Sequence, residues 1–129
     1  MVRITGIVVY GNQLGRTVGM PTANFEYQDV KLEGVYVSKV ILPDGSVRPG
    51  LTNIGTKPSV DDTGKKNIET YIIDFSGDLY GRRLTIEIFD KIRDIKKFAN
   101  LAEVKAQVDK DLEAAESKFL KFYGAAQDK

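Results

Sequence analysis

Short segments rich in apolar and β-branched residues, which are typical of strands, dominate the first three quarters of the chain. The segment 84–92 is the clearest, since apolar Leu84, Ile86 and Ile88 alternate with Thr85 and Glu87, as expected for a half-buried strand. The segments predicted as strands are Ile4 to Tyr10, Gly34 to Leu42, Val47 to Ile54, Asn67 to Phe75 and Leu84 to Ile92. Because they follow one another closely without a helical segment between them, they favour an antiparallel barrel or sandwich.

The period changes to three and four residues in the last quarter of the chain. Asn100 is followed three residues later by Glu103, which is the pattern of a helix N-cap with a capping acidic residue. The apolar stripe that follows contains Leu101, Val104, Val108, Leu112, Ala115, Phe119 and Phe122. It predicts one long helix over about residues 100–123. We expect residues 1–129 to form one domain, with strands and loops over 1–93 and this helix after them.

The composition excludes several kinds of site. The 129 residues include no cysteine and no histidine, which excludes disulfides, thiolate metal sites and the commonest general base. An enzymatic base would therefore be a carboxylate, one of 18 acidic residues. The net charge of +1 offers no electrostatic reason to expect nucleic acid or a membrane as partner. No secretory signal pattern opens the chain, so the cytoplasm is the expected compartment.

A glycine-rich segment links the first predicted strand to a Pro-Thr-Ala-Asn sequence. Gly11, Gly15 and Gly19 leave backbone N–H groups unobstructed by side chains, and Arg16 adds a positive charge, which together are typical of a phosphate-binding loop. The segment matches neither a Walker A element nor a dinucleotide fingerprint. The alternative interpretation is a structural turn between strands.

The Pro-Thr-Ala-Asn sequence is predicted to bind a metal ion. Pro21 disfavours a helix at this point, and in an extended segment the side chains of Thr22 and Asn24 lie on the same side. A hydroxyl oxygen and an amide oxygen together suit Mg²⁺, which commonly keeps only one or two protein ligands and takes phosphate and water as the others.

Glu69 is the candidate catalytic base. Its predicted strand places it on one face with Tyr71, Ile73 and Phe75, an apolar and aromatic neighbourhood in which a carboxylate can accept a proton from an alcohol. The alternative is a solvated carboxylate at a strand edge.

Several short motifs in this order resemble the riboflavin kinase family, including the C-terminal kinase module of bacterial bifunctional FAD synthetases. They are Gly11 to Asn24, Asn53-Ile54-Gly55 with Lys57-Pro58, Glu69-Thr70, Asp74-Phe75, Asp78-Leu79-Tyr80-Gly81, and Ile92-Arg93 with Lys97-Phe98. The resemblance implies a six-stranded antiparallel Greek-key barrel with a C-terminal helix. It also identifies Glu69 with the family's catalytic glutamate, although Tyr71 stands where the family has histidine.

The same resemblance assigns binding roles to residues that the sequence pattern alone would place in turns or in structural packing. It implies that Ile72, Asp74 and Tyr80 line the adenine nucleotide pocket. It implies that Arg93, Lys96 and Phe98 contact the flavin.

The function implied is transfer of the γ-phosphate of ATP to the 5′-hydroxyl of riboflavin, giving ADP and FMN with Mg²⁺ as cofactor. In a longer synthetase, an adenylyltransferase domain would be the partner. Two alternatives belong to other classes: a non-catalytic flavin- or nucleotide-binding barrel, and a small barrel that binds single-stranded nucleic acid. The near-zero net charge disfavours the second, and the joint presence of Glu69 and the Thr22–Asn24 pair disfavours the first.

Overall fold

The computed structural model describes residues 2–9, 23–25, 31–56, 66–75, 77 and 79–121. The strands within them are β1 (Val2–Val9), β2 (Ala23–Phe25), β3 (Gly34–Ile41), β4 (Val47–Thr56), β5 (Lys66–Ile72) and β6 (Arg83–Arg93). These six close into an antiparallel barrel with the order β1-β2-β5-β4-β3-β6. Strands β3, β4 and β5 are successive neighbours and β6 returns beside β3, which is Greek-key order. The expected fold class is therefore confirmed.

The strand directions divide the barrel into two ends. Neighbouring strands are antiparallel, so β1, β3 and β5 run one way and β2, β4 and β6 the other. We call the end at which β1 and β5 finish the upper end; Val9 and Ile72 lie there. The end at which β4 and β6 finish is the lower end, where Thr56 and Arg93 lie.

The alternation of side chains along each strand decides which residues face the barrel interior. In β5, Ile68, Thr70 and Ile72 are buried while Glu69 and Tyr71 lie on the outer surface and are half-buried. The apolar residues that fill the interior are Ile4, Val8, Ala23, Phe25, Tyr36, Val40, Leu42, Ile54, Ile68, Ile72, Leu84, Ile86 and Ile88. Removing this surface from water is the main stabilising contribution to the fold.

A short chain of hydroxyl groups crosses this apolar interior. The Ser38 and Thr52 hydroxyl oxygens are 2.8 Å apart, and those of Thr52 and Thr70 are 2.9 Å apart. All three residues are fully buried. Because a hydroxyl both donates and accepts, the chain satisfies polar groups that would otherwise be costly to bury.

The predicted helix, α1 (Leu101–Phe119), packs on the outside of the barrel. Its N-cap is confirmed, since Asn100 Oδ1 accepts a hydrogen bond from Glu103 N at 2.9 Å. Ala115 and Phe119 pack in a second apolar cluster with Val35 and other outward residues of β3 and β4. Of the helices that the structure describes, none has the length and apolarity needed to cross a membrane.

The helix differs from the predicted stripe in two places. Leu101 is half exposed at 50%, because the first helical turn extends past the apolar surface that Ala115 and Phe119 cover. Asp111, which the stripe omitted, is buried. Phe122 lies outside the described residues.

Candidate active site

A row of cross-strand partners on the outer surface links the two ends of the barrel. We call it the outer row; its residues are Val9, Asn24, Glu69, Asn53, Val35 and Arg93. It begins at the last residue of β1 and finishes at the last residue of β6. Strands in a closed barrel are staggered, so a series of cross-strand partners followed around the barrel moves gradually from its upper end to its lower end. The sequence alone contained no signal for this row.

Glu69 lies inside the outer row, between Asn24 of β2 and Asn53 of β4. Directly opposed residues of antiparallel strands have their Cβ atoms about 4.5–5.5 Å apart, so two amide side chains flank the carboxylate. Tyr71 follows on the same face and belongs to the apolar cluster under α1. The predicted apolar and aromatic neighbourhood on the helix side of Glu69 is present.

One part of that predicted neighbourhood was wrong. Phe75 packs against the interior cluster instead of sharing the outer face with Glu69. Strand β5 ends at Ile72, before the predicted end, and Asp74 has a φ of 58°. This left-handed conformation, which Asp tolerates better than most residues, breaks the alternation before Phe75.

Asn24 contributes a buried amide to the upper half of the outer row. Its neighbours Ala23 and Phe25 lie in the barrel interior, whereas Asn24 lies on the opposite face and is 3% exposed. Its Oδ1 atom is buried and has no hydrogen-bond partner within the described part of the chain. A buried acceptor without a partner costs about 1–3 kcal/mol, which an oxygen-seeking cation would offset. Asn24 therefore fits the predicted Mg²⁺ ligand.

The other predicted phosphate and metal residues fall elsewhere. Gly11, Gly15, Arg16, Gly19 and Thr22 lie outside the described residues. Within the ranges that the structure covers, no group of three or more carboxylate side chains is arranged to hold a metal ion.

The predicted nucleotide residues gather at the upper end. Ile72 has its side chain in the barrel interior, and Asp74 is exposed just after it. Tyr80 is 50% exposed in the turn before β6. Gly81 N, in the same turn, donates to the Val8 carbonyl at 2.9 Å, which holds the turn against the end of β1, where the glycine-rich segment begins.

The predicted flavin residues gather at the lower end. The Arg93 guanidinium carbon lies 5.8 Å from the centre of the Phe98 ring, and Lys96 Nζ lies 6.0 Å from it. Two cations against one ring form a compact group, with cation–π attraction of about 0.5–1 kcal/mol per contact at exposed sites.

This group is held to the helix by a residue that the sequence reasoning missed. Arg93 Nε donates to both carboxylate oxygens of Asp111 at 3.0 Å, and Arg93 Nη2 donates to Oδ2 at 2.8 Å. Gln107 Nε2 donates to Oδ1 at 3.0 Å, and Gln107 Oε1 accepts from Lys96 Nζ at 3.1 Å. The available signal was the helical spacing of Asp111, which comes three residues after Val108 and four before Ala115 of the apolar stripe.

A cavity of about 460 Å³ lies at the lower end of the barrel. Its lining consists of Lys31, Leu32, Glu33, Tyr36, Lys91, Asp94 and Ile95. Lys91 Nζ and Asp94 Oδ1 are 2.5 Å apart, and this hydrogen-bonded pair lowers the pKa of Asp94 and raises the pKa of Lys91. The volume is within the range of small-molecule sites.

Comparison with known proteins shows the family. The flavokinase model, described as riboflavin kinase, matches residues 1–119. The chain therefore belongs to the riboflavin kinase family, as its motifs had indicated. A bifunctional riboflavin kinase/FMN adenylyltransferase of Pseudomonas fluorescens is 43% identical over 115 residues, which is 88% of this chain and 37% of that protein. The chain thus spans little more than a third of that relative.

Two solved structures support the fold. Riboflavin kinase from Trypanosoma brucei matches with a TM-score of 0.65 at 22% identity, over 94% of this chain and 81% of its own. A Streptococcus pneumoniae structure titled as a macrolide-efflux protein matches with a TM-score of 0.78 at 32% identity, over 88% of this chain and 38% of its own.

Proposed function

We propose that this chain is an ATP-dependent riboflavin kinase, which converts ATP and riboflavin to ADP and FMN. One observation carries the proposal: Glu69 lies between two amides on the outer row, which runs from the predicted nucleotide residues to the predicted flavin residues. In-line phosphoryl transfer needs the acceptor hydroxyl positioned between the two substrate sites, which is where a base at Glu69 would meet it.

In the proposed step, the riboflavin 5′-hydroxyl gives its proton to the Glu69 carboxylate as its oxygen bonds to the γ-phosphorus of ATP. The bond from that phosphorus to the β–γ bridging oxygen breaks, and ADP leaves with the electron pair. Glu69 is half-buried, so a bound substrate can exclude the water that would otherwise compete with the 5′-hydroxyl for the carboxylate.

The upper end is proposed to hold ATP and its metal ion. The buried oxygen of Asn24, for which the described residues offer no hydrogen-bond partner, would hold Mg²⁺ together with Thr22. When bound, Mg²⁺ neutralises charge on the phosphate oxygens. The backbone at Gly11, Gly15 and Gly19, with Arg16, would align the phosphates. Ile72, Asp74 and Tyr80 would line the adenine nucleotide.

The lower end is proposed to hold the flavin ring. Phe98 would pack against the ring, and Lys96 and Arg93 would contact its polar groups. Because Arg93 already donates three hydrogen bonds to Asp111, its main contribution would be to hold Phe98 in position. The adjacent cavity provides room at this end.

We assign only the kinase step to residues 1–129, taken as one domain. The Pseudomonas fluorescens relative carries an adenylyltransferase name as well, and the match covers 37% of it. FAD formation would therefore belong to an adenylyltransferase partner. The cytoplasm, where ATP is plentiful, is the proposed compartment.

The test is a chromatographic assay for FMN with riboflavin, ATP and Mg²⁺, in the wild type and in Glu69→Gln. The variant should still bind both substrates but lose about 10²–10⁴-fold in kcat, the usual contribution of a general base. Glu113→Gln, the same change at an exposed helix position, should retain wild-type kcat. Riboflavin binding without any FMN formation in the wild type would favour the non-catalytic carrier. Near-wild-type turnover of Glu69→Gln would show that Glu69 is not the general base.

A further inference from the structure

The proposed function gives the Asn53-Ile54-Gly55 motif no role of its own in substrate binding. Ile54 is fully buried in the interior, so its neighbours Asn53 and Gly55 lie on the outer surface. Asn53 is exposed and lies directly opposite Glu69 in the register of β4 and β5. It is the next position after the base on the way to the lower end.

Gly55 continues this surface toward the flavin residues. It lies two residues beyond Asn53, about 7 Å along the strand. A Cβ atom built on Gly55 would meet Ile95 Cδ1 at 4.0 Å, so the connection between β6 and α1 reaches over β4 at this point. Asn53 and Gly55 thus form the floor between Glu69 on one side and Ile95 on the other.

The chemistry of this floor matches one part of the substrate. A flavin with its terminal hydroxyl at Glu69 and its ring at the lower end must lay its ribityl chain across β4. The secondary hydroxyl groups of that chain each donate and accept hydrogen bonds, and the Asn53 amide offers two donors and an acceptor. Gly55, without a side chain, adds no bulk of its own to this surface, where the Ile95 side chain already lies close.

Resting on the proposed function, we propose that Asn53 is a specificity-determining residue that hydrogen-bonds the secondary hydroxyl groups of the ribityl chain. It distinguishes a polyol chain from an alkyl chain of equal length. Its contribution falls on riboflavin affinity, not on the proton transfer at Glu69.

The test compares two flavins by fluorescence titration: riboflavin, and a flavin with a 5-hydroxypentyl chain that keeps the terminal hydroxyl and lacks the secondary ones. The wild type should prefer riboflavin. In Asn53→Ala this preference should fall about 10-fold, the worth of one or two hydrogen bonds. Thr5→Ala, an exposed outward position on β1, is the matched control and should keep the wild-type preference.

Steady-state kinetics supply the second readout. Asn53→Ala should raise the KM for riboflavin with kcat and the KM for ATP nearly unchanged, and Asn53→Ser should recover most of the loss. If Asn53→Ala does not fold, Asn53→Val removes the same hydrogen bonds with a residue that strands favour.

The outcomes separate the two proposals. An unchanged preference between the two flavins in a folded variant overturns the role of Asn53, and so does a loss confined to kcat. A wild type that makes FMN then leaves the kinase assignment standing. A wild type that binds riboflavin but makes no FMN overturns the kinase assignment alone, and a wild type that binds no riboflavin overturns both.

Discussion

The two ends of the barrel differ in how their buried polar groups are satisfied. At the upper end, Asn24 Oδ1 is buried and has no hydrogen-bond partner among the residues that the structure describes. At the lower end, the buried Asp111 carboxylate receives hydrogen bonds from Arg93 and Gln107. Among the described residues, the upper end thus has a buried acceptor without a partner, whereas the buried carboxylate at the lower end is hydrogen-bonded by two neighbouring side chains.

This difference separates a site completed by its ligand from a preorganised one. Side chains already held in place lose little further entropy on binding, so a preorganised surface binds at lower cost. We therefore expect riboflavin binding at the lower end to be insensitive to Mg²⁺, and nucleotide binding at the upper end to depend on it.

Asp111→Ala should have the largest effect on the lower end. It leaves the Arg93 guanidinium, only 18% exposed, without its carboxylate, and breaking a buried pair in this way costs about 3–5 kcal/mol. Urea unfolding measures this loss. Asp109→Ala is the matched control on the same helix, where an exposed pair with Lys105 should be worth less than about 1 kcal/mol. Equal losses in the two variants would contradict the preorganised lower end.

Asn24→Ala should act on the upper end and on its metal dependence. With the amide oxygen removed, the Mg²⁺ concentration at half-maximal FMN formation should rise by on the order of 10-fold. Asn67→Ala, the same substitution on the outer surface of β5, should leave the Mg²⁺ requirement as it is. An unchanged Mg²⁺ requirement in Asn24→Ala would show that Asn24 is not a ligand of the metal ion.

Lys91→Met should give the smallest effect, visible mainly as a change in pH dependence. Lys91 holds the pKa of Asp94 below its ordinary value, so this pair contributes stability above the unfolded pKa of about 3.9 and loses it as pH falls through the lower folded pKa. The urea midpoint should therefore fall less between pH 7 and pH 3 in Lys91→Met than in the wild type. Equal falls would show that this exposed pair adds nothing to the lower end.

Strands and helices were predicted well where the pattern that indicates them lies within a single segment of the sequence. The alternation in β6 and the capping residues Asn100 and Glu103 were each confirmed. The end of β5 was not predicted. It depends on the positive φ of Asp74, a conformation that aspartate tolerates but that its presence in the sequence does not imply. Strand β2 is three residues long, too short for alternation to reveal it.

The site was predicted less completely, because its geometry depends on pairing between distant segments. Glu69 and Asn24 were identified as candidates from their own motifs. That they are neighbours, with Asn53 on the other side, follows from the order and stagger of strands in the closed barrel. The partnership of Arg93 with Asp111 likewise depends on where α1 docks.

The hydroxyl chain inside the barrel has a consequence for folding fidelity. Thr52 opposes Thr70 on the inner face, and the adjoining residues Asn53 and Glu69 oppose each other on the outer face. A slip of one residue between β4 and β5 would turn the side chains of the slipped strand to the wrong face. A slipped β5 would take Thr70 away from Thr52 and turn the Glu69 carboxylate into the apolar interior, which is costly for a charge without a partner. The interior thus favours the register that aligns the Glu69 carboxylate, the proposed base, with the Asn53 amide. Neither hydroxyl lies on the surface where the substrates would meet.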